Sequence, residues 1–450
     1  MWWLLAALAA TPTDDIDLMP KAVTAAAPAA TEAEKGDASF RARWFVEDAL
    51  NASTHPRDVP VPYPPTLALR WQNCASLDSR LSWRPAQPIA VTLSGRLNVF
   101  AQDGMSFVSP DTIRLDLREA YATWQPLRDF YIEAGRINVR EGVALGFNPT
   151  DFFKTRTLVD QSSLDPSVIR QNRLGAVMVR AQAIGAGVSV SAAVAPKLAN
   201  PPPLTENDPI GVDPHLGAMN GSWRAEVVLG FEVADLSPHL LGYLEEGRSK
   251  IGLDASRPID GAVVAYAEWA GGPEKSLAAR AADFGKQTGT LPQNAPIVPA
   301  DSGATAFRND IAAGFSWAIA ATLTLNAEYH FHQGGFTPAD WSYWFSHPGA
   351  ANQLWYVRGY ANDQQEPVSQ HQLFARVAWP RFLSPDFEVD GFAFVGLSDG
   401  SVLSQLSFSD YLSRDWTLAA FISSNFGAPR SERGSFPHAA TLILQITRYF

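Results

Sequence analysis

The last thirteen residues, His438 to Phe450, read HAATLILQITRYF, and their spacing decides the fold. Leu442, Leu444, Ile446 and Phe450 fall on one face, while Thr441, Gln445 and Thr447 fall on the other. A period of two, apolar against polar, is the mark of a β-strand with one greasy and one wet side. Arg448 interrupts the apolar row. Near a membrane–water interface an arginine on that face costs only about 0–1 kcal/mol, so the interruption is tolerable there.

The same alternation recurs upstream. Val91, Leu93, Gly95, Leu97 and Val99 share a face opposite Thr92, Ser94, Arg96 and Asn98. Leu323, Leu325, Ala327, Tyr329 and Phe331 alternate with Thr324, Asn326, Glu328, His330 and His332. Eighteen such runs can be drawn between residues 66 and 450; the first two, 66–73 and 76–84, are the least regular, giving 16–18 strands. Many reach ten residues, whereas strands in globular proteins usually run about five or six and membrane strands need about 9–11. Short turns such as Gln125-Pro126-Leu127-Arg128 and Pro258-Ile259-Asp260-Gly261 alternate with long polar segments near 141–171, 197–221, 271–305 and 334–369. The expectation is an all-β transmembrane antiparallel barrel over residues 63–450, with short periplasmic turns and long outer loops. Its partner would be membrane lipid.

Composition agrees. Charged residues are 18% and mean hydropathy is −0.08, against about a quarter charged in soluble domains. Aromatics reach 11%, with 14 Trp and 25 Phe, as interfacial girdles require. No run approaches the roughly 20 apolar residues of a membrane helix. Met1–Ala10, MWWLLAALAA, reads as the apolar region of an export signal; it lacks a positive flank, which leaves room for an upstream start. Residues 11–62 are rich in Ala, Pro and acids and read as a flexible periplasmic linker, with a short helix over Ser39–Leu50. The single Cys74 excludes an internal disulfide and any multi-cysteine metal site. A net charge of −11 argues against a nucleic-acid partner.

The terminal strand resembles the C-terminal signature of bacterial outer-membrane barrels, a final aromatic preceded by apolar residues at every second position. A second resemblance lies at Gly135-Arg136 and the run Arg140–Lys154, REGVALGFNPTDFFK. A strand ending Gly-Arg and leading into Asn-Pro-x-Asp is similar to barrels of the porin and exopolysaccharide-exporter type, alginate exporters included. That resemblance implies a bacterial outer-membrane location, reached through the periplasm, and a transport role.

Candidate site residues follow from the polar faces. Arg96, Arg114 and Arg118, with Asp116 between the last two, sit on polar faces of neighbouring strands. Arg136 and Arg140 join them if the strand bulges near Gly135, and Arg173 and Arg180 follow the next loop. Arginines along a low-dielectric pore favour anions, but the same residues could form a network with Asp and Glu. Asn148, Pro149, Asp151 and Phe153 carry turn chemistry and could fold inward as a constriction. Glu328, His330 and His332 share a face, read as polar lumen lining rather than a metal site. The aromatic segment 334–369 is read as packing or interfacial anchoring rather than as a sugar platform. No catalytic motif and no cofactor site is visible. Three functions remain open: a channel for small polar or anionic solutes or an exporter of an anionic polysaccharide, a barrel-embedded hydrolase, and a structural or adhesive barrel.

Overall fold

The computed structural model describes residues 39–63, 69–103, 113–154, 163–204, 210–211, 215–299, 303–347 and 351–450. The expected export signal at 1–10, the linker over 11–38 and the start of the expected strand 66–73 lie outside these residues.

The strands are β1 (Ser39–Ser53), β2 (Trp71–Ala86), β3 (Ile89–Gln102), β4 (Ile113–Leu127), β5 (Phe130–Ile137), β6 (Ala176–Gly185), β7 (Val188–Ala195), β8 (Ile210–Gly211), β9 (Arg224–Phe231) and β10 (Ser237–Glu245). They continue with β11 (Arg248–Pro258), β12 (Val263–Glu274), β13 (Ala306–Ala320), β14 (Leu323–His332), β15 (His371–Trp379), β16 (Phe387–Gly396), β17 (Val402–Asp410), β18 (Trp416–Phe426) and β19 (Ala440–Tyr449). All but β8 pair antiparallel with their neighbours; β1 pairs with β19 and with β2, so eighteen strands close on themselves. The two-residue β8 is a parallel bridge to Ile113 and Arg114 beside the wall. Closure leaves no unpaired edge, which is the condition for strands to meet hydrocarbon. Eighteen strands about 4.8 Å apart, tilted about 40°, close at a backbone diameter of about 36 Å.

Two expectations are corrected here. Ser39–Ser53 is neither helix nor linker but the first barrel strand, its register running from Phe45 opposite Tyr449 to Ser53 opposite Thr441. The runs drawn at 66–73 and 76–84 are not two strands: Trp71–Ala86 is one. The two errors cancel in the count. Helix was favoured at Ser39–Leu50 because its charges hide the alternation, but Glu47 and Ala49 face inward and Val46 and Leu50 outward.

The terminal strand behaves as its spacing predicts. Leu442, Leu444, Ile446 and Phe450 are outward and exposed, and Ile443 and Thr447 are buried inward. Phe450 stacks on Trp44 with ring centroids 3.9 Å apart and its amide donates to the Trp44 carbonyl at 3.0 Å, so it helps seal the closing seam. Arg448 lies over the rings of Phe450 at 4.7 Å and Trp416 at 5.3 Å, a cation–π setting that accommodates its charge at the rim.

Outward Trp83, Trp124, Trp317, Trp379 and Trp416 ring the end that carries the short turns. Trp71, Trp223, Phe307 and Phe426 mark the other rim. On β2 the girdle residues Trp71 and Trp83 are twelve steps apart; at about 3.3 Å per step and about 40° of tilt this spans about 30 Å, a bilayer's hydrocarbon thickness.

Candidate functional site

Polar and charged side chains dominate the inward faces, with apolar exceptions such as Leu241, Phe374 and Ile443, and one loop crosses between them. Residues 138–154 leave β5 and reach the opposite wall instead of rising into solvent. Glu268 of β12 accepts the backbone N–H of Val143, of Ala144 at 2.5 Å and of Thr150 at 3.3 Å, together with the Thr150 hydroxyl at 2.9 Å. Glu328 of β14 accepts the amides of Leu145 and Gly146 at 2.7 and 2.9 Å and the Tyr266 hydroxyl at 2.8 Å. His330 bonds the same carboxylate at 2.7 Å. Two wall carboxylates thus satisfy loop amides that would otherwise be buried without partners. The chain can press so close because Gly142 and Gly146 have no side chain: a Cβ on either would collide with Glu268 or with His330 and Phe374. Further along, the Leu164 amide donates to Gln405 of β17 at 2.9 Å, and Asp165 pairs with Arg376 of β15 at 3.2 Å.

The expected constriction residues lie in this inward loop. Asn148 donates to Glu268 at 3.2 Å. Asp151 is buried and pairs with Arg173 at 2.9 Å, with Arg170 at 3.7 Å. Phe153 lies under the Arg224 guanidinium at 4.7 Å, and its neighbour Phe152 stacks on Tyr243. Pro149 and Asp151 line a cavity of about 70 Å³ between the loop and the β10–β13 wall.

The expected arginines are placed on the inner wall, but among acids. Arg96 is buried and bonds Glu47 at 2.5 Å, Ser76 at 3.1 Å and Asn98 at 3.0 Å. Arg118 pairs with Asp78 at 2.5 Å, and Arg114 with Asp116 at 2.9 Å; Asp116 also faces His215 at 3.2 Å. Arg118 occupies a bulge, since register shifts between Ser94 and Gly95 on the partner strand. Arg180 lies 3.7 Å from Glu133 and 3.8 Å from Glu141. Arg136 is buried and donates to the Gly175 carbonyl at 2.9 Å, and Arg173 to the Val139 carbonyl at 2.8 Å, so these two brace the loop. Burial pulls the Arg173 guanidinium below the usual arginine range, the Asp151 charge opposing it. Arg140 is half-buried in the same loop. His332 pairs with Asp310 at 2.7 Å rather than with His330 or Glu328.

Other charges were not singled out by the sequence. The cavity is edged by Lys154, Arg248, Lys250 and Arg280 and by Glu245, Glu274, Asp310 and Glu366. Lys250 lies 3.1 Å from Glu274 and Arg280 lies 2.6 Å from Glu366. Lys154 differs: its ammonium meets the Asn148 carbonyl and the Phe147 ring at 4.3 Å, and no carboxylate among the described residues is within ion-pair distance. Burial pushes it below the usual lysine range. At the periplasmic mouth Arg41, Arg43, Arg80 and Arg84 share the inward face, with Arg43 directly opposite Arg80 and Arg80 bonded to Glu119 at 3.2 Å. Alternation could have found Arg80 and Arg84; Arg41 and Arg43 were lost with the linker assignment.

Outer loops form a cap with its own apolar core. Trp341, Trp344 and Trp355 of the 333–370 loop are buried with Val61, Leu277, Ala281 and Val298. The guanidinium of Arg358 sits 4.2–5.3 Å from the rings of Trp344, Trp355, Phe436 and Trp341 and donates to the Glu432 carbonyl. Packing, not sugar stacking, is the use of these aromatics.

No protein-family model and no curated protein sequence matches the chain. Among solved structures, it is similar to Pseudomonas aeruginosa OccK9 (OpdG), with a TM-score of 0.53, 10% identity, and 92% of this chain and 98% of that one covered. OccK8 (OprE) of the same organism gives a TM-score of 0.52 at 8% identity, with 92% and 98% covered. The fold is therefore that of porin-type barrels.

Proposed function

We propose that this barrel is an outer-membrane channel for small polar solutes, with a preference for anions. The observation that carries it is the segment 138–154, which crosses a lumen too wide for side chains to fill and is pinned to the far wall by Glu268 and Glu328. A barrel built only for strength would not need an inward loop edged by a cavity lined with charged side chains. The anion preference rests on Lys154 at the constriction, with no carboxylate among the described residues within ion-pair distance, and on the arginine-rich mouth where Arg41, Arg43, Arg80 and Arg84 share the inward face with Glu119. The paired arginines Arg96, Arg114 and Arg118 contribute wall structure rather than net field. Residues 1–10 serve in this reading as an export signal, and the terminal strand is what the assembly machinery receives.

The test is the reversal potential of the refolded protein in a planar bilayer under a KCl gradient. Anion selectivity that falls in Lys154→Gln supports the reading; cation selectivity in both proteins overturns the anion preference.

A further inference from the structure

Three residues far apart in sequence meet in one row of the lumen wall. Register places Ser189 of β7 opposite Gly230 of β9, Gly230 opposite His239 of β10, and His239 opposite Asp254 of β11. All four are on the inward face of their strands. His239 Nδ1 bonds Asp254 Oδ1 at 2.6 Å; Asp254 is buried, while the ring keeps a lumen-facing edge. Glycine in the middle of the row lets both side chains close over it: a Gly230 Cβ would collide with Ser189 Oγ at 2.4 Å and would stand 3.2 Å from His239 Nε2. The hydroxyl and the imidazole Nε2 therefore converge over Gly230, with the other ring nitrogen held by a carboxylate. This is the order of groups, nucleophile, base and orienting acid, that activates a serine in acyl transfer. Neighbouring wall donors are Arg180, bonded to Ser191 at 3.2 Å, and Gln182 opposite Ser191 in register.

We propose that Ser189, His239 and Asp254 form a second, catalytic site in the lumen, hydrolysing esters of small acids. The row begins two residues from the β6–β7 periplasmic turn, and Asp254 is opposite Glu268, which pins the constriction loop. A solute leaving the constriction meets the site on its way to the periplasm. In the reaction, Ser189 Oγ bonds to the ester carbonyl carbon as its proton passes to His239 Nε2. The imidazolium, held by Asp254, returns that proton to the departing alkoxide as the carbon–oxygen bond breaks. Water, deprotonated by the same nitrogen, then releases the acid and restores the serine.

The experiment uses full-length protein refolded in detergent, a fluorophosphonate probe and p-nitrophenyl butyrate. Mass spectrometry should place a phosphonyl adduct on Ser189, absent from Ser189→Ala. Ester turnover should disappear in Ser189→Ala and fall on the order of 10²–10⁴-fold in His239→Gln. Heat-modifiable migration on gels shows that each variant is a folded barrel. No adduct on Ser189 in the folded protein, or turnover that survives Ser189→Ala, overturns the proposal. Either result is independent of conductance, so it leaves the channel reading to its own test.

Discussion

Replacing Glu268 with Ala should release the near half of the constriction loop. The carboxylate receives three close hydrogen bonds, from the Val143 and Ala144 amides and the Thr150 hydroxyl, with weaker ones from the Thr150 amide and Asn148. Bonds to a charged acceptor contribute about 1.5–3 kcal/mol each, and the three together about 4–9 kcal/mol. The variant is also spared the burial of an ionised carboxylate, which takes back several kcal/mol. A net loss of about 3–4 kcal/mol remains, a shift of about 10²–10³ in the docked-to-undocked ratio. Glu328 still holds Leu145 and Gly146, so the loop should loosen rather than leave. Hydrogen exchange reads this directly: the Val143 and Ala144 amides should exchange about 10²–10³ faster, while β-strand amides stay protected. Glu268→Gln keeps one acceptor oxygen and should fall between the two. Unchanged exchange at Val143 and Ala144 in Glu268→Ala would refute the clamp.

Other outcomes follow from the same geometry. Arg96→Ala removes the buried cation from Glu47 and leaves that carboxylate the neutral Gln445 donor at 2.7 Å, a loss of about 3 kcal/mol; urea unfolding in lipid vesicles should show it. Arg358→Ala empties the aromatic cage that joins two outer loops and should destabilise the cap by about 3 kcal/mol. Protease would then cut within 333–370 and 427–439 while the barrel stays intact; equal resistance would show that the cage carries no load. Burial opposes the ionisation of Glu366, but Arg280 and His332 outweigh it and hold the carboxyl at about 2, below the 4.5 usual for a glutamate. A depressed carboxylate stabilises above its unfolded value and loses that stabilisation as pH falls from about 4.5 to about 2, on the order of 3 kcal/mol. Cap amides should therefore lose exchange protection across that acid window, and a flat profile would place the stability elsewhere.

The architecture was legible because lipid imposes it. One apolar face, ten-residue lengths and short turns alternating with long loops are demands of a bilayer, and the terminal strand shows each inward and outward position as read. What failed, failed for physical reasons. Arg41, Arg43, Glu47 and Asp48 made β1 look like a solvated linker, yet a wide lumen welcomes Arg41, Arg43 and Glu47 on the strand's inner face, and Asp48 alone interrupts the outer one. The break drawn between 66–73 and 76–84 cut through β2 at Asn73, Cys74 and Ala75, where polar and small residues soften the alternation. The site was only half legible. Alternation put Arg96, Arg114 and Arg118 on the inner wall, but whether each meets an acid depends on register, and register is set across strands. Glu47, which neutralises Arg96, lies in the strand that was missed. The partners of the constriction loop, Glu268 and Glu328, are more than a hundred residues from it, and no spacing joins them. The same holds for Ser189, His239 and Asp254, aligned only by three strand pairings and a glycine.

The most direct measurement is single-channel recording of the refolded full-length barrel in a planar bilayer under a KCl gradient, with Glu268→Ala alongside. Discrete conductance steps, an anion-side reversal potential, and larger or noisier steps in the variant are the expected result. A membrane that stays sealed after insertion, or identical steps in both proteins, would contradict a lumen whose passage is set by the docked loop.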